Sequence, residues 1–172
     1  MNRTQFLSTT LLSLFSLGAS LHAVDVSPIS IQVDQTSDDK RGRYDETQKK
    51  SLHVMLTNGS AQDLSVKLKY YFFAKDIKGK DVLVLKDGEQ ATTVKAHATE
   101  TVKTPEVTAK SNEKHLEGAS MASRGHAAKT GKEVPAGGQR IVGYGVQIVQ
   151  GGKVITDYFS EPSLKANVGG GQ

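Results

Sequence analysis

Chemistry in this chain would have to come from histidines, carboxylates and hydroxyls, because it holds no cysteine. Outside the first 23 residues the histidines are His53, His97, His115 and His126. His115 and His126 share a polar stretch with Glu113 and Glu117. The His-Glu-x-x-His spacing, which sets two zinc ligands on one helix face, is absent. A second group, Asp38, Asp39, Asp45 and Glu46, offers the oxygens that Ca²⁺ takes. Lys40, Arg41 and Arg43 stand among those carboxylates and would repel a cation. Gly143-Tyr144-Gly145 has no helix after it, so no helix N-terminus to hold phosphate. There is no Gly-x-Ser-x-Gly elbow. The sequence therefore assigns no catalytic residue, no cofactor and no metal ligand, and a non-enzymatic role is the expectation. Its strongest functional signal is the aromatic run Tyr70, Tyr71, Phe72 and Phe73. A strand that is aromatic on both faces is covered twice within its own domain or once by another chain. Tyr and Phe are enriched at protein contacts, so these four residues are the candidate interface.

The element that carries the run is the hairpin over 51–75. Leu52, Val54 and Leu56 alternate with His53, Met55 and Thr57, the period of a half-buried strand. Asn58-Gly59-Ser60 and Gln62-Asp63 supply turn chemistry. The return strand puts Leu64, Val66, Leu68, Tyr70 and Phe72 on one face. Ser65, Lys67, Lys69, Tyr71 and Phe73 take the other.

A second hairpin spans 139–159. Val142, Tyr144, Val146 and Ile148 form its more apolar face, and Gly151-Gly152 marks a tight turn. Gly143 and Gly145 read as places where something bulky packs against the strand, with the 70–73 aromatics as the expected occupant.

The remaining segments read more weakly. Ile29, Ile31 and Val33 give a strand that Pro28 confines to a sheet edge. The charged stretch 36–50 is expected as a loop or solvated excursion. A short strand is expected over 81–86, closed by a turn at Asp87-Gly88, and one or two irregular strands over 90–108, broken by Pro105. The segment 107–138, poor in aliphatics, is expected as a long polar loop.

The first 23 residues have the layout of a secretory signal peptide: Arg3, a short apolar run over 6–19, and a small residue at Ala23. The run is too short and too interrupted for a membrane span, and no transmembrane segment is expected in the mature chain. Residues 24–168 then form one domain and 169–172 a glycine-rich tail. An exported chain without cysteine points to a bacterial envelope: periplasm, outer membrane or cell surface. The formal charge of +4 is spread over interleaved signs, which is a soluble surface and not a nucleic-acid footprint.

About seven strands, short turns and no βαβ alternation imply an all-β fold, an antiparallel two-sheet sandwich of immunoglobulin-like pattern with long polar loops. The cysteine pair and core tryptophan of antibody-type domains are missing. The leader, the hairpin LHVMLTNGSAQDLSVKLKYYFFAKD and the end GQRIVGYGVQIVQGGKVITDYFSEP together resemble exported immunoglobulin-like proteins of Akkermansia-type Verrucomicrobia, associated with a type IV pilus-like gene cluster. The resemblance implies an envelope or pilus-associated protein whose partners are copies of itself, as a homo-oligomer, or other envelope and pilus proteins. It brings no catalytic residues. A ligand-binding module, for glycans for example, is the alternative. With five Tyr, five Phe and no Trp, the aromatic platforms on which sugars stack are few.

Overall fold

A computed structural model describes residues 27–118 and 130–168. The expected leader (1–23), His126 and the expected tail (169–172) lie outside the described residues. Ten strands run in chain order: β1 Ile29–Arg41, β2 Asp45–Asn58, β3 Leu64–Asp76, β4 Val82–Val94, β5 Thr99–Lys103, β6 Val107–Asn112, β7 His115–Glu117, β8 Lys132–Val134, β9 Gly137–Gln150 and β10 Lys153–Phe159. A 3-10 helix over Pro162–Asn167 follows.

Every pairing among these strands is antiparallel. In the first sheet, β2 holds β1 on one side and β5 and β6 on the other. In the second, the order is β10-β9-β3-β4. The sheets join at one corner, where Gly137 and Gly138 of β9 pair with Asn112 and Ser111 of β6. Strands β7 and β8 form a separate two-stranded ribbon. This order matches the A-B-E and G-F-C-C′ sheets of an immunoglobulin-like sandwich, with β5 and β6 sharing the E position.

The core lies between the sheets because each central strand alternates. Leu52, Val54 and Leu56 of β2 face Leu68, Tyr70 and Phe72 of β3 and Val146 and Ile148 of β9, and all eight are 5% exposed or less. Asn58 closes the hairpin between β2 and β3 from inside. It is fully buried, and its Nδ2 donates to the carbonyls of Gln62, Val94 and Lys95 at 2.8–3.2 Å. Its Oδ1 accepts from the Ser60 amide at 2.8 Å. The tight turn at Gly151-Gly152 is as expected, with φ of +57 and +82, which glycine adopts without steric cost.

Three segments differ from their expectation. The charged stretch 36–50 is not a loop. It continues β1 and β2 to a short turn at 42–44, where the Gly42 amide donates to the Asp45 carbonyl at 2.7 Å. The strands tolerate the charge because β2 side chains find counter-charges on neighbouring strands and loops, Glu46 pairing with Arg41 directly opposite and Lys49 with Glu106.

Within 107–138, β6 is a core strand. Val107, Ala109 and Ser111 turn inward at 4–8% exposure. Their side chains are too small to give a strong alternation signal. β7 and β8 also fall in this segment, and 119–129 lie outside the described residues. Lastly, Asp87-Gly88 is no turn. Gly88 sits mid-strand in β4 opposite Tyr70, and a Cβ there would overlap the phenol.

Candidate interaction surfaces

The four aromatics do not act together, because β3 is an inner strand of the second sheet whose inward face lies in the core and whose outward face is covered at Phe73 but not at Tyr71. Tyr70 and Phe72 point into the core at 5% and 0% exposure. Phe73 points out of the sandwich yet is also 0% exposed. Its cover comes from this chain. Phe159 lies 6.4 Å away, centroid to centroid, and the Pro162–Asn167 helix packs across β4, β9 and β10. Three members of the expected interface are therefore covered within the molecule, and Tyr71 alone keeps an outward, half-buried position.

The strand glycines have the role expected of them, but with other occupants. Gly145 leaves room for the Phe159 ring, and Gly143 for Leu164 of the 3-10 helix. The aromatics on β3 do not fill these spaces. Lys165 pairs with Asp157 and ties the helix to β10. Of the apolar face expected for β9, Tyr144, Val146 and Ile148 do face the core, and only Val142 does not. Val142 is an extra residue between the pairs Phe73–Gly143 and Ala74–Ile141. It turns outward at 37% exposure while Ile141 enters the core at 5%.

Around Tyr71 the outer face of the second sheet stays open. The Tyr71 hydroxyl donates to Gln147 Oε1 at 3.2 Å. Burial raises its pKa, and the nearby Asp87 and Glu89 carboxylates add to the shift, so the phenol stays protonated and a donor. Beside it lies a shallow depression of about 780 Å³, lined by Ser65, Lys67, Lys69, Glu89, Ala91 and Val149. Lys67 and Glu89 form an exposed pair across it at 3.3 Å.

A second polar site lies at the corner between the sheets. Glu46, only 11% exposed in its side chain, receives Arg140 at 2.6 Å and Arg41 at 3.3 Å. Burial alone would raise its pKa. The hydrogen bonds and charges of Arg41 and Arg140 outweigh burial and hold the carboxyl below its ordinary value. Gln48 donates to Glu46 at 3.4 Å and accepts the Ile141 amide at 2.7 Å. A cleft of about 360 Å³ opens beside this cluster. Tyr44 on its rim stacks on His115 at 4.3 Å and carries the Arg43 guanidinium at 5.1 Å. Glu46 is thus an ion-pair partner inside the protein. Asp38 and Asp39 sit on adjacent positions of β1 that point to opposite faces, so the four carboxylates weighed as a cation site do not converge.

The described histidines lie on separate elements. His53 is on β2, flanked by Asp34 and Lys103, and its Nε2 is buried without a partner. His97 occupies a turn with φ of 53. His115 is on β7. The sequence also holds two Ser-x-x-Lys spacings, Ser37 to Lys40 and Ser111 to Lys114. That spacing aligns a serine with its lysine on a helix. Along a strand, positions three apart face opposite ways, and Lys114 is paired with Glu133 at 2.8 Å.

β1 is an edge strand, as Pro28 led one to expect; what sequence reasoning missed is its continuation through 36–41. Residues 34–41 are all exposed, and β1 pairs only with β2 among the described residues. The signal was present in the alternating signs of Asp38, Lys49, Arg41 and Glu46.

No protein-family model matches the chain. No curated protein matches it either. Among solved structures, the chain is similar to a Northeast Structural Genomics Consortium target at 13% identity, over 81% of this chain and 91% of that one, with a TM-score of 0.34. It is also similar to a protein from Akkermansia muciniphila at 11% identity, over 77% of this chain and 71% of that one, with a TM-score of 0.31. Likeness at this level carries no argument about function.

Proposed function

We propose that this chain is a non-enzymatic, exported structural and interaction protein of a bacterial cell envelope, associated with pilus components. It works by holding other proteins and not by turning over a substrate. The observation that carries this reading is the open outer face of β4-β3-β9. There Lys67, Lys69 and Tyr71 project from the middle strand, Lys67 between Ala91 and Val149, and Lys69 between Glu89 and Gln147. Tyrosine is enriched at protein contacts, and the half-buried Tyr71 ring is the aromatic of the 70–73 run that this face leaves accessible. The leader-like first 23 residues and the resemblance to envelope immunoglobulin-like proteins support the compartment.

Two experiments test it. Cells producing the full chain are fractionated and the product's N-terminus is sequenced. A cleaved chain starting at Val24 in the envelope fraction is the expected result, and an uncleaved cytoplasmic chain overturns the reading. Purified wild type is then compared with Tyr71→Ala and Ala91→Glu for retention by pilus proteins isolated from the same cells. Folded variants that bind as well as wild type remove the outer face from the proposal.

A further inference from the structure

β1 is the edge of the first sheet: among the described residues it hydrogen-bonds to β2 alone, β10 of the other sheet packs near it, and every residue from 34 to 41 is exposed. Such an edge presents unpaired N–H and C=O groups, and charged side chains ordinarily keep other strands away from it. Here the order of the charges matters more than their number.

Two copies of one edge strand continue a sheet about a twofold axis perpendicular to it. That axis keeps each face on its own side, so every residue meets a residue of the same parity. Asp34, Thr36, Asp38 and Lys40 lie on one face of β1, and Gln35, Ser37, Asp39 and Arg41 on the other. With the axis at Ser37, Asp34 faces Lys40 of the second copy and Lys40 faces its Asp34. Thr36 then meets Asp38, Gln35 meets Asp39, and no like charges oppose. Moving the axis to Thr36 sets Asp34 against Asp38. At Asp38, Asp39 or Lys40 the central residue meets its own charge. At Gln35 no ion pair forms. One register is favourable and its neighbours are not. The charges it uses are available: among the described residues Asp34, Asp38, Asp39 and Lys40 have no ion-pair partner, and Lys49, opposite Asp38, is engaged by Glu106 at 3.2 Å.

We infer that a second copy of this chain docks on β1, antiparallel and centred on Ser37, so that one sheet runs through both molecules. This names one partner within the contact-module reading and rests on it. It uses a different surface from the Tyr71 face.

The test is sedimentation velocity of the mature chain over a concentration series, for wild type, Asp34→Lys, Lys40→Asp and the swapped double variant. These exposed positions can change without loss of the fold. We expect a dimer that each single variant weakens by about tenfold, because two opposite pairs become like-charged, and that the double variant restores. Raising the salt should weaken the wild-type dimer. The chain lacks cysteine, so Ser37→Cys gives a second readout. Across the axis the two Cα atoms of an antiparallel pair stand about 4.5–5.5 Å apart, within disulfide reach. A covalent dimer should form from Ser37→Cys and not from Ser65→Cys on β3. A monomer at every concentration overturns the inference, and so does a dimer indifferent to the β1 charges that Ser37→Cys fails to cross-link. Either failure leaves the Tyr71 and Ala91 experiment standing as the separate test of the contact-module reading.

Discussion

Arg140 of β9 meets Glu46 of β2 at 2.6 Å, 94 positions apart in the chain, at the corner where the two sheets join. Arg41 completes the cluster from β1, so one carboxylate ties three strands together. The carboxyl's pKa is held below its ordinary 4.5, so its contribution to stability is present above that value. It is lost as pH falls through the lowered one. Urea midpoints measured from pH 7 to pH 3 should fall in wild type and fall less steeply in Glu46→Gln. At pH 7 that variant should lose up to about 1 kcal/mol, because Glu46 gives up two charged hydrogen bonds whose arginines are half exposed and exposed, and water screens both pairs. Parallel curves for the two proteins would show that the cluster adds nothing.

Asn58→Ala should cost about 3 kcal/mol, near the top of the range for buried groups left without partners, because three carbonyls lose their donor at once. Chemical denaturation measures it. A loss under 1 kcal/mol would mean that water enters the turn in place of the amide.

Phe73→Ala and Tyr71→Ala should separate stability from contact. Phe73 has no exposed surface, and its truncation should cost about 3–5 kcal/mol. Tyr71 is half exposed and loses one side-chain hydrogen bond, so its truncation should cost about 1 kcal/mol. Equal losses would show that both rings are core.

Gly145→Ala should lower the melting temperature, because a Cβ there overlaps the Phe159 ring. Overpacking of this kind costs about 1–3 kcal/mol. In a Phe159→Ala background the same change should be nearly neutral, and the double-mutant cycle reads the coupling directly. Additive losses would place the strain elsewhere.

Much of the fold was legible in local pattern. Both hairpins, their turns and the inward set of β3 follow from period two and from the positions of Asn58, Gly151 and Gly152. The candidate surface was less legible. Tyr71 and Phe73 share a face in sequence, yet the Phe159 ring of β10 packs on Phe73, while Tyr71 stays half exposed. Strand β6 escaped notice because Ala109 and Ser111 carry almost no hydrophobic signal, although their burial is as deep as that of larger residues.

The sequence by itself determined strand class, hairpin positions and the absence of disulfides, since alternation, turn residues and cysteine count act within a few positions of the chain. Only the tertiary structure decided which faces are covered. A single extra residue, Val142, exchanges inside for outside at the start of β9, and Phe159 of β10 packs on the outward ring of Phe73 from 86 positions away in the chain. The charged stretch 36–50 became paired strand because its counter-charges lie on the neighbouring strand and on Arg140, and no local pattern reports a partner that distant.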